Sequence, residues 1–163
     1  MAGFRDRGPG PFDLRSVPHP ALTLVVDFGT GPLVIEDTTG RQQRGSLVAR
    51  LTPAVRVSGQ NIECLQVRLS PLAAHAVLGV PPAELERAVV ALEDLWGRDA
   101  TRIRERLRDA RSWEERFAVA EASLFRRPGT SPPVDPEVTW AWHRIVASRG
   151  AFAGAGAVVG PVV

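Results

Sequence analysis

Apolar residues in the first part of the chain, up to about residue 70, occur in short runs separated by turn residues, which is the pattern of β-strands. Leu22–Phe28 is a nearly continuous apolar run and predicts a buried strand. Gly29-Thr30-Gly31-Pro32 interrupts it, and Leu33–Glu36 predicts a second strand after this turn. The same pattern predicts further short strands at Ser46–Leu51, Ala54–Val57 and Ile62–Leu69.

The last of these strands shows a period of two. Its members alternate, with Glu63, Leu65, Val67 and Leu69 on one side and Cys64, Gln66 and Arg68 on the other. Because successive side chains of a strand point to opposite faces, one face is expected in the core and the other partly in water.

Helical patterns come after this strand. Pro71 can open a short helix, which Gly79 would end, and Ser112 with Glu115 fits a capping box in front of an apolar stripe. Asp135-Pro136 is a cap followed by proline at the first helical position. The predicted helices are Leu72–Leu78, a turn at Ala83–Arg87, a helix capped by Asp99 that runs to about Ala110, a helix from Trp113 to about Arg126, and Asp135–Ser148.

These elements predict an α+β fold, in which a small N-terminal β-barrel or sandwich is followed by a C-terminal group of helices. We expect one domain over residues 12–127, with strands at about 17–69 and helices at about 71–126. A linker at 128–134 would lead to a separate helix at 135–149, and residues 150–163 form an apolar, glycine-rich tail.

Charge gives little support for nucleic-acid binding by this chain. The 163 residues include 20 Arg, no Lys and 18 acidic residues, for a net charge of +2. The sequence pI of about 9.8 reflects how few groups titrate above neutral pH, because Tyr and Lys are absent. Residues 81–127 hold ten Arg and ten acidic residues, so the helical part lacks the excess of cations that phosphate contacts require.

A single cysteine excludes a disulfide within the chain and favours a reducing compartment. No apolar run is long enough for a membrane-spanning helix, and residues 1–13 do not have the pattern of a signal peptide. We therefore expect a cytoplasmic protein with no membrane partner.

Chemical motifs are scarce. His19, His75 and His143 are far apart and belong to different elements, so no metal site is expected. Cys64 lies in a strand pattern, where a buried thiol is the common role. No nucleophile elbow or phosphate loop occurs, and we expect no catalytic residues and no cofactor.

Four residues remain as candidates for binding. Asp27 is an ionisable residue at the end of an apolar strand, where it either faces a pocket or, the favoured interpretation, sits beside the turn. With Arg68 it is the candidate for an effector pocket. Trp140 and Trp142 are two positions apart on a helix and point to different sides, so one of them is a candidate interface residue.

Residues 66–97 carry a resemblance to a known family. The segments VRLSPLAAHAVLGVPPAEL and VVALEDLWG resemble the N-terminal regulatory domain of AraC/XylS-type transcription regulators. The helices expected at 99–110 and 112–126 and the segment PHPALTLVVDF are similar to the same family, so that the resemblance covers roughly residues 12–149. It implies a cupin-like domain that senses a small-molecule effector or forms a homodimer.

In that family a linker leads to two helix-turn-helix units that read DNA, and the helix at 135–149 resembles the first helix of that region. The recognition helices have no counterpart in this sequence, so no DNA-binding residue is assigned. The expected function is that of an AraC-type regulator reduced to its sensing or dimerisation domain, with DNA contacted only through a missing C-terminal domain. The alternatives are a partner-binding fragment without a ligand and, less favoured, a cupin-like enzyme acting on a small molecule.

Overall fold

Two antiparallel sheets form the first part of the protein in the computed structural model, which describes residues 1–16, 21–50, 55–85, 89–125 and 135–147. Several sequence predictions fall outside these ranges: His19, the linker at 128–134 and the tail at 150–163. The nine described strands are β1 (Ala2–Arg5), β2 (Phe12–Arg15), β3 (Leu22–Asp27), β4 (Val34–Glu36), β5 (Gln42–Arg44), β6 (Leu47–Arg50), β7 (Arg56–Gly59), β8 (Glu63–Leu69) and β9 (Val89–Ala91).

The strands are shared between a five-stranded sheet, in the order β1-β8-β3-β6-β9, and a four-stranded sheet, in the order β2-β7-β4-β5. Every pairing is antiparallel. In the described residues β1 and β2 are edge strands, so the sheets do not close into a barrel there. The α+β class is confirmed, in the form of two sheets and a set of helices.

β3 is central because its side chains are buried on both faces of the sheet. All six of its residues are buried, and the strand pairs with β8 on one side and β6 on the other. Leu22, Leu24 and Val26 belong to one apolar cluster, whereas Val25 belongs to a second cluster on the opposite face. Thr23 has the same parity as Val25 and therefore shares its face.

The helices begin and end at residues with clear local causes. Ser70 Oγ accepts a hydrogen bond from the amide of Ala73, and Gly79 ends that helix with a φ of 79°, where a side chain would be strained. Ser112 Oγ accepts from the amide of Glu115, as the capping box predicts. The helices are α1 (Pro71–Leu78), α2 (Leu92–Trp96), α3 (Arg98–Asp109), α4 (Trp113–Phe125) and α5 (Pro136–Ala147), with a 3-10 turn at Pro82–Leu85.

Helix α3 differs from the prediction at its first residue. It begins at Arg98, and Gly97 rather than Asp99 occupies its N-cap position. The tight connection from α2 explains the difference, because Gly97 ends α2 and caps α3 at once, with a φ of 53°. Asp99 then lies in the first turn of the helix, where an acidic side chain is also favourable.

Two apolar clusters define three layers in residues 1–125. One cluster joins the helices to one face of the five-stranded sheet and includes Leu24, Leu65, Trp96 and Leu107. The other joins the opposite face of that sheet to the four-stranded sheet, with Val25 and Leu47 facing Ile35. On β8, Leu65, Val67 and Leu69 are buried on one face, whereas on the other face Gln66 is half-buried and Arg68 is exposed. This confirms the partly wet face that the alternation predicts.

The chain divides into two compact units, Met1–Thr130 and Ser131–Val163. The described part of the second unit is α5, which Asp135 caps by accepting a hydrogen bond from the amide of Glu137 at 2.8 Å. Of the helices described, none has both the length and the apolar character needed to cross a bilayer.

Candidate ligand site

A cavity of about 490 Å³ lies between the two sheets. This volume falls within the range of small-molecule sites. The five-stranded sheet contributes Val25, Leu47 and Cys64 to its walls, and the four-stranded sheet contributes Phe12, Ile35 and Val57. Because strands alternate their side chains, one inward-facing set from each sheet makes this space apolar.

The two edge strands β1 and β2 form the open side of this cavity. Phe4 of β1 and Leu14 of β2 both line it, yet they are 43% and 62% exposed. On the other side of the sheets, β5 lies close to β9. Access is therefore expected between β1 and β2, where apolar side chains are half in water.

Thr23 places a hydroxyl group inside this apolar space. The residue is 1% exposed, it lines the cavity, and Thr23 Oγ1 has no hydrogen-bond partner among the described residues. A buried hydroxyl without a partner costs free energy, typically about 1–3 kcal/mol. Such groups are rare in folded proteins, and a bound molecule is one way of satisfying them.

Asp6 is the second polar group in the wall. Its Oδ1 accepts a hydrogen bond from the amide of Gly8 at 3.1 Å, whereas its Oδ2 is buried and has no partner in the described part of the chain. The residue follows β1 and is held by its own amide, which donates to the carbonyl oxygen of Ile62 at 2.9 Å. Asp6 also borders a smaller cleft of about 310 Å³, which Arg7 and Arg108 line.

Cys64 and Gln66 lie between these two polar groups along β8 and line the same cavity. Burial, helped by the charge of Asp27, raises the pKa of the Cys64 thiol to about 12. The thiol is therefore neutral near neutral pH, and it is a poor nucleophile there. Its role in this wall is that of a small apolar side chain, as the sequence predicts.

Asp27 organises the turn after β3. Its two carboxylate oxygens accept hydrogen bonds from the amides of Gly29, at 3.2 Å, and Leu33, at 3.3 Å. Burial raises the pKa of Asp27, and these two hydrogen bonds oppose the rise. Asp27 is not among the residues that line the cavity, and its described contacts are those of a residue that holds a turn.

Arg68 lies near the end of β8, opposite Thr23 in the strand register, and its side chain is exposed. It does not line the cavity between the sheets. The structure therefore brings Thr23, Gln66 and Asp6 to one space, and the two predicted pocket residues, Asp27 and Arg68, lie outside its lining.

Glu63 ties the open edge of the cavity to the helices. The guanidinium of Arg5, on β1, and that of Arg116, on α4, both donate hydrogen bonds to Glu63 Oε1. The Arg116 guanidinium also lies 4.9 Å from the ring centres of Phe28 and Trp113. β1 is therefore linked to α4 through a carboxylate that it shares with a buried arginine.

The two candidate interface residues lie on α5. Trp140 is 64% exposed, with the Arg144 guanidinium 5.3 Å from its ring centre, and Trp142 is half-buried. Val138, on the same helix, is 51% exposed.

No group of three or more His, Cys, Asp or Glu side chains in the described ranges is arranged to hold a metal ion. Comparison of the chain with protein-family models, with curated proteins and with solved structures finds no match. The geometry of the cavity and the pattern of the sequence are therefore the grounds on which a function can be proposed.

Proposed function

We propose that residues 1–125 form an effector-sensing module whose inter-sheet cavity binds a small, largely apolar molecule. The observation that carries this proposal is the unpartnered hydroxyl of Thr23, fully buried in the wall of a cavity of about 490 Å³. Apolar walls with a few polar groups are typical of ligand sites. A space needed only for packing would be filled by side chains, because protein interiors are close-packed.

The lining residues favour binding over catalysis. A hydrolytic or transfer site needs a nucleophile beside a base, and the described lining contains neither histidine nor lysine. The thiol of Cys64 is neutral near neutral pH and is therefore a poor nucleophile. A cupin-like enzyme is therefore the less favoured interpretation.

The resemblance to AraC/XylS-type regulators supports a regulatory role. The resembling segment, residues 66–97, supplies β8, α1 and α2, and thus joins a wall of the cavity to the helical layer. In this proposal the two sheets correspond to a cupin-like regulatory domain, and ligand binding is transmitted to the helical layer that packs on the five-stranded sheet. DNA would be contacted by a C-terminal DNA-binding domain.

The test is titration of the full chain with N-phenyl-1-naphthylamine, an apolar dye that fluoresces in apolar surroundings. We expect saturable binding of one dye per chain. Val57→Phe, which fills the cavity from β7, should weaken binding at least about tenfold, since the added side chain occupies the site. Ser58→Phe is the matched control, because neighbouring strand residues face opposite ways. Dye binding that is absent, or equal in the two variants, would contradict the proposal.

The exposed tryptophan of α5 favours a second function, association with a second copy of the chain. Trp140 is 64% exposed, and tryptophan is enriched at the centres of interfaces. Trp140→Gln should lower the dimer fraction in sedimentation velocity, whereas Ala141→Gln, also at an exposed position, should not. A chain that stays monomeric at high concentration would exclude this function.

A further inference from the structure

The two unpartnered polar atoms of the cavity lie toward opposite ends of one strand. Asp6 is hydrogen-bonded beside Ile62, where β8 begins, and Thr23 lies opposite Arg68, near its end. Six residues of extended strand separate these positions, which corresponds to roughly 20 Å. A cavity of about 490 Å³ that reaches both groups is long and narrow.

The walls between these ends are apolar. Cys64 and Gln66 of β8 line one side, and Leu14 and Val57 of the four-stranded sheet line the other. Gln66 is half-buried and adds a polar group two positions from the Thr23 end. The middle of a bound molecule would therefore meet mainly carbon atoms.

The charge inside the cavity comes from Asp6. Arg5 and Arg15 also border the space, but alternation turns their side chains outward. Arg5 bonds Glu63, with its guanidinium 5.8 Å from the ring centre of Trp113 on the helical side. Arg15 shares the outer face of β2 with Asp13, which is paired there with Arg56. An anionic group is therefore disfavoured, and a hydrogen-bond donor is favoured at Asp6 Oδ2.

We propose that the ligand is an elongated apolar molecule with a hydrogen-bond donor, a hydroxyl or a protonated amine, at the Asp6 end and a second polar group at the Thr23 end. The inference rests on the proposed function and specifies the ligand class of the same cavity. Both polar atoms that lack a partner in the wall would gain one, and the apolar middle would be removed from water.

The experiment is displacement of bound N-phenyl-1-naphthylamine from the full chain by three ten-carbon compounds: decanol, decylamine and decanoate. We expect decanol or decylamine to displace the dye at about tenfold lower concentration than decanoate, since a carboxylate would be repelled by Asp6. The stronger competitor of decanol and decylamine shows whether the ligand's donor is a hydroxyl or a protonated amine. In Asp6→Asn the disadvantage of decanoate should shrink severalfold.

The second arm tests the other end of the cavity. Decanediol carries a hydroxyl at each end, and its affinity relative to that of decanol should fall about tenfold in Thr23→Val, which keeps the shape of the side chain and removes the hydroxyl. Thermal unfolding of each variant confirms that it folds.

Two failures are distinguishable. Absence of saturable dye binding overturns both the proposed function and the ligand class. Saturable dye binding with decanoate as effective as both decanol and decylamine, or with a decanediol preference that Thr23→Val leaves unchanged, overturns the ligand class alone.

Discussion

Arg116 combines more roles than any other buried charge described in the first unit. It is 6% exposed, and its Nε donates to the carbonyl oxygen of Leu107 at 3.1 Å, near the end of α3. Its guanidinium also bonds Glu63 and stacks near two aromatic rings. One side chain thereby holds α4 against α3 and against β8, and it satisfies a helix carbonyl that would otherwise lack a partner.

We predict that Arg116→Met lowers the free energy of unfolding by about 2–3 kcal/mol. Glu63 would lose one of its two arginine partners, and the Leu107 carbonyl would lose its hydrogen bond from Arg116. Arg102→Met is the control: its ion pair with Asp99 is exposed, and its loss should cost less than about 0.5 kcal/mol. Urea unfolding of both variants provides the measurement. Equal midpoints would show that the buried arginine contributes no more than a surface one.

Glu63 makes this link sensitive to acid. Burial alone would raise its pKa, but the hydrogen bond from Arg5 and the charges of Arg116 and Arg5 outweigh burial, and the pKa of Glu63 is lowered from 4.5. A lowered pKa in the folded state stabilises the protein above the ordinary value, and this stabilisation is lost as the pH falls through the folded value.

We therefore predict that Glu63→Gln is less stable than the wild type at neutral pH and that the difference shrinks as the pH falls below about 4.5. Thermal unfolding across this range measures it. Other carboxylates titrate in the same range, but the comparison with the variant isolates Glu63. A difference that stays constant with pH would contradict the role given to its charge.

At the scale of elements, β1 borders the open side of the cavity. It is an edge strand, and Phe4 lies opposite Cys64 on β8. Gly3 makes its close approach to α4 possible, because a Cβ added there would lie 2.3 Å from Cζ3 of Trp113. The tryptophan ring thus occupies the space that a side chain would need.

We predict that Gly3→Ala loosens β1 and exposes Cys64, the one cysteine of the chain. A local cost of about 1 kcal/mol would raise the open population, and with it the rate of thiol labelling by Ellman's reagent, about fivefold. Gly10→Ala is the control, since a Cβ there meets no atom within 4 Å. Equal labelling rates in the two variants would show that β1 does not cover the thiol.

The sequence predicts most of the elements that bury continuous apolar runs, and it misses β9 (Val89–Ala91) and three strands that have no such run. β3 and β8 were predicted because their apolar residues are dense enough to show a pattern, and α1 and α4 because their caps are explicit. β1, β2 and β5 (AGFR, FDLR and QQR) carry arginine and little apolar surface. They form strands because their backbone groups pair with a neighbouring strand, and the local sequence pattern does not indicate this pairing.

The residues of the candidate site can be predicted only in part from the sequence. Asp27 is a candidate pocket residue in the sequence because it is a charge in an apolar strand, but its carboxylate oxygens accept hydrogen bonds from the amides of the turn after β3. Thr23, within the same run, was the better signal, because a hydroxyl in a strand buried on both faces needs a partner. No sequence pattern indicates that Asp6 lines the cavity, because its position depends on how the chain passes from one sheet to the other.

At the scale of the whole molecule, the apolar core belongs to the first unit. Every described member of the two apolar clusters lies between Phe12 and Leu124. The cavity lining likewise ends at Gln66. The described residues of the second unit contribute to neither cluster, and that unit presents an exposed tryptophan on α5.

This distribution predicts that a chain ending at residue 130 keeps both the thermal midpoint and the dye affinity of the full chain. The reason is that burial of apolar surface is the main stabilising contribution, and the described part of it is contained in Met1–Thr130. Trp96 and Trp113 remain as fluorophores for the unfolding measurement. Sedimentation of the same chain then separates the two proposed functions, because removal of Trp140 should abolish association while the cavity still binds dye. A lower midpoint or weaker dye binding would instead mean that residues 131–163 stabilise the first unit.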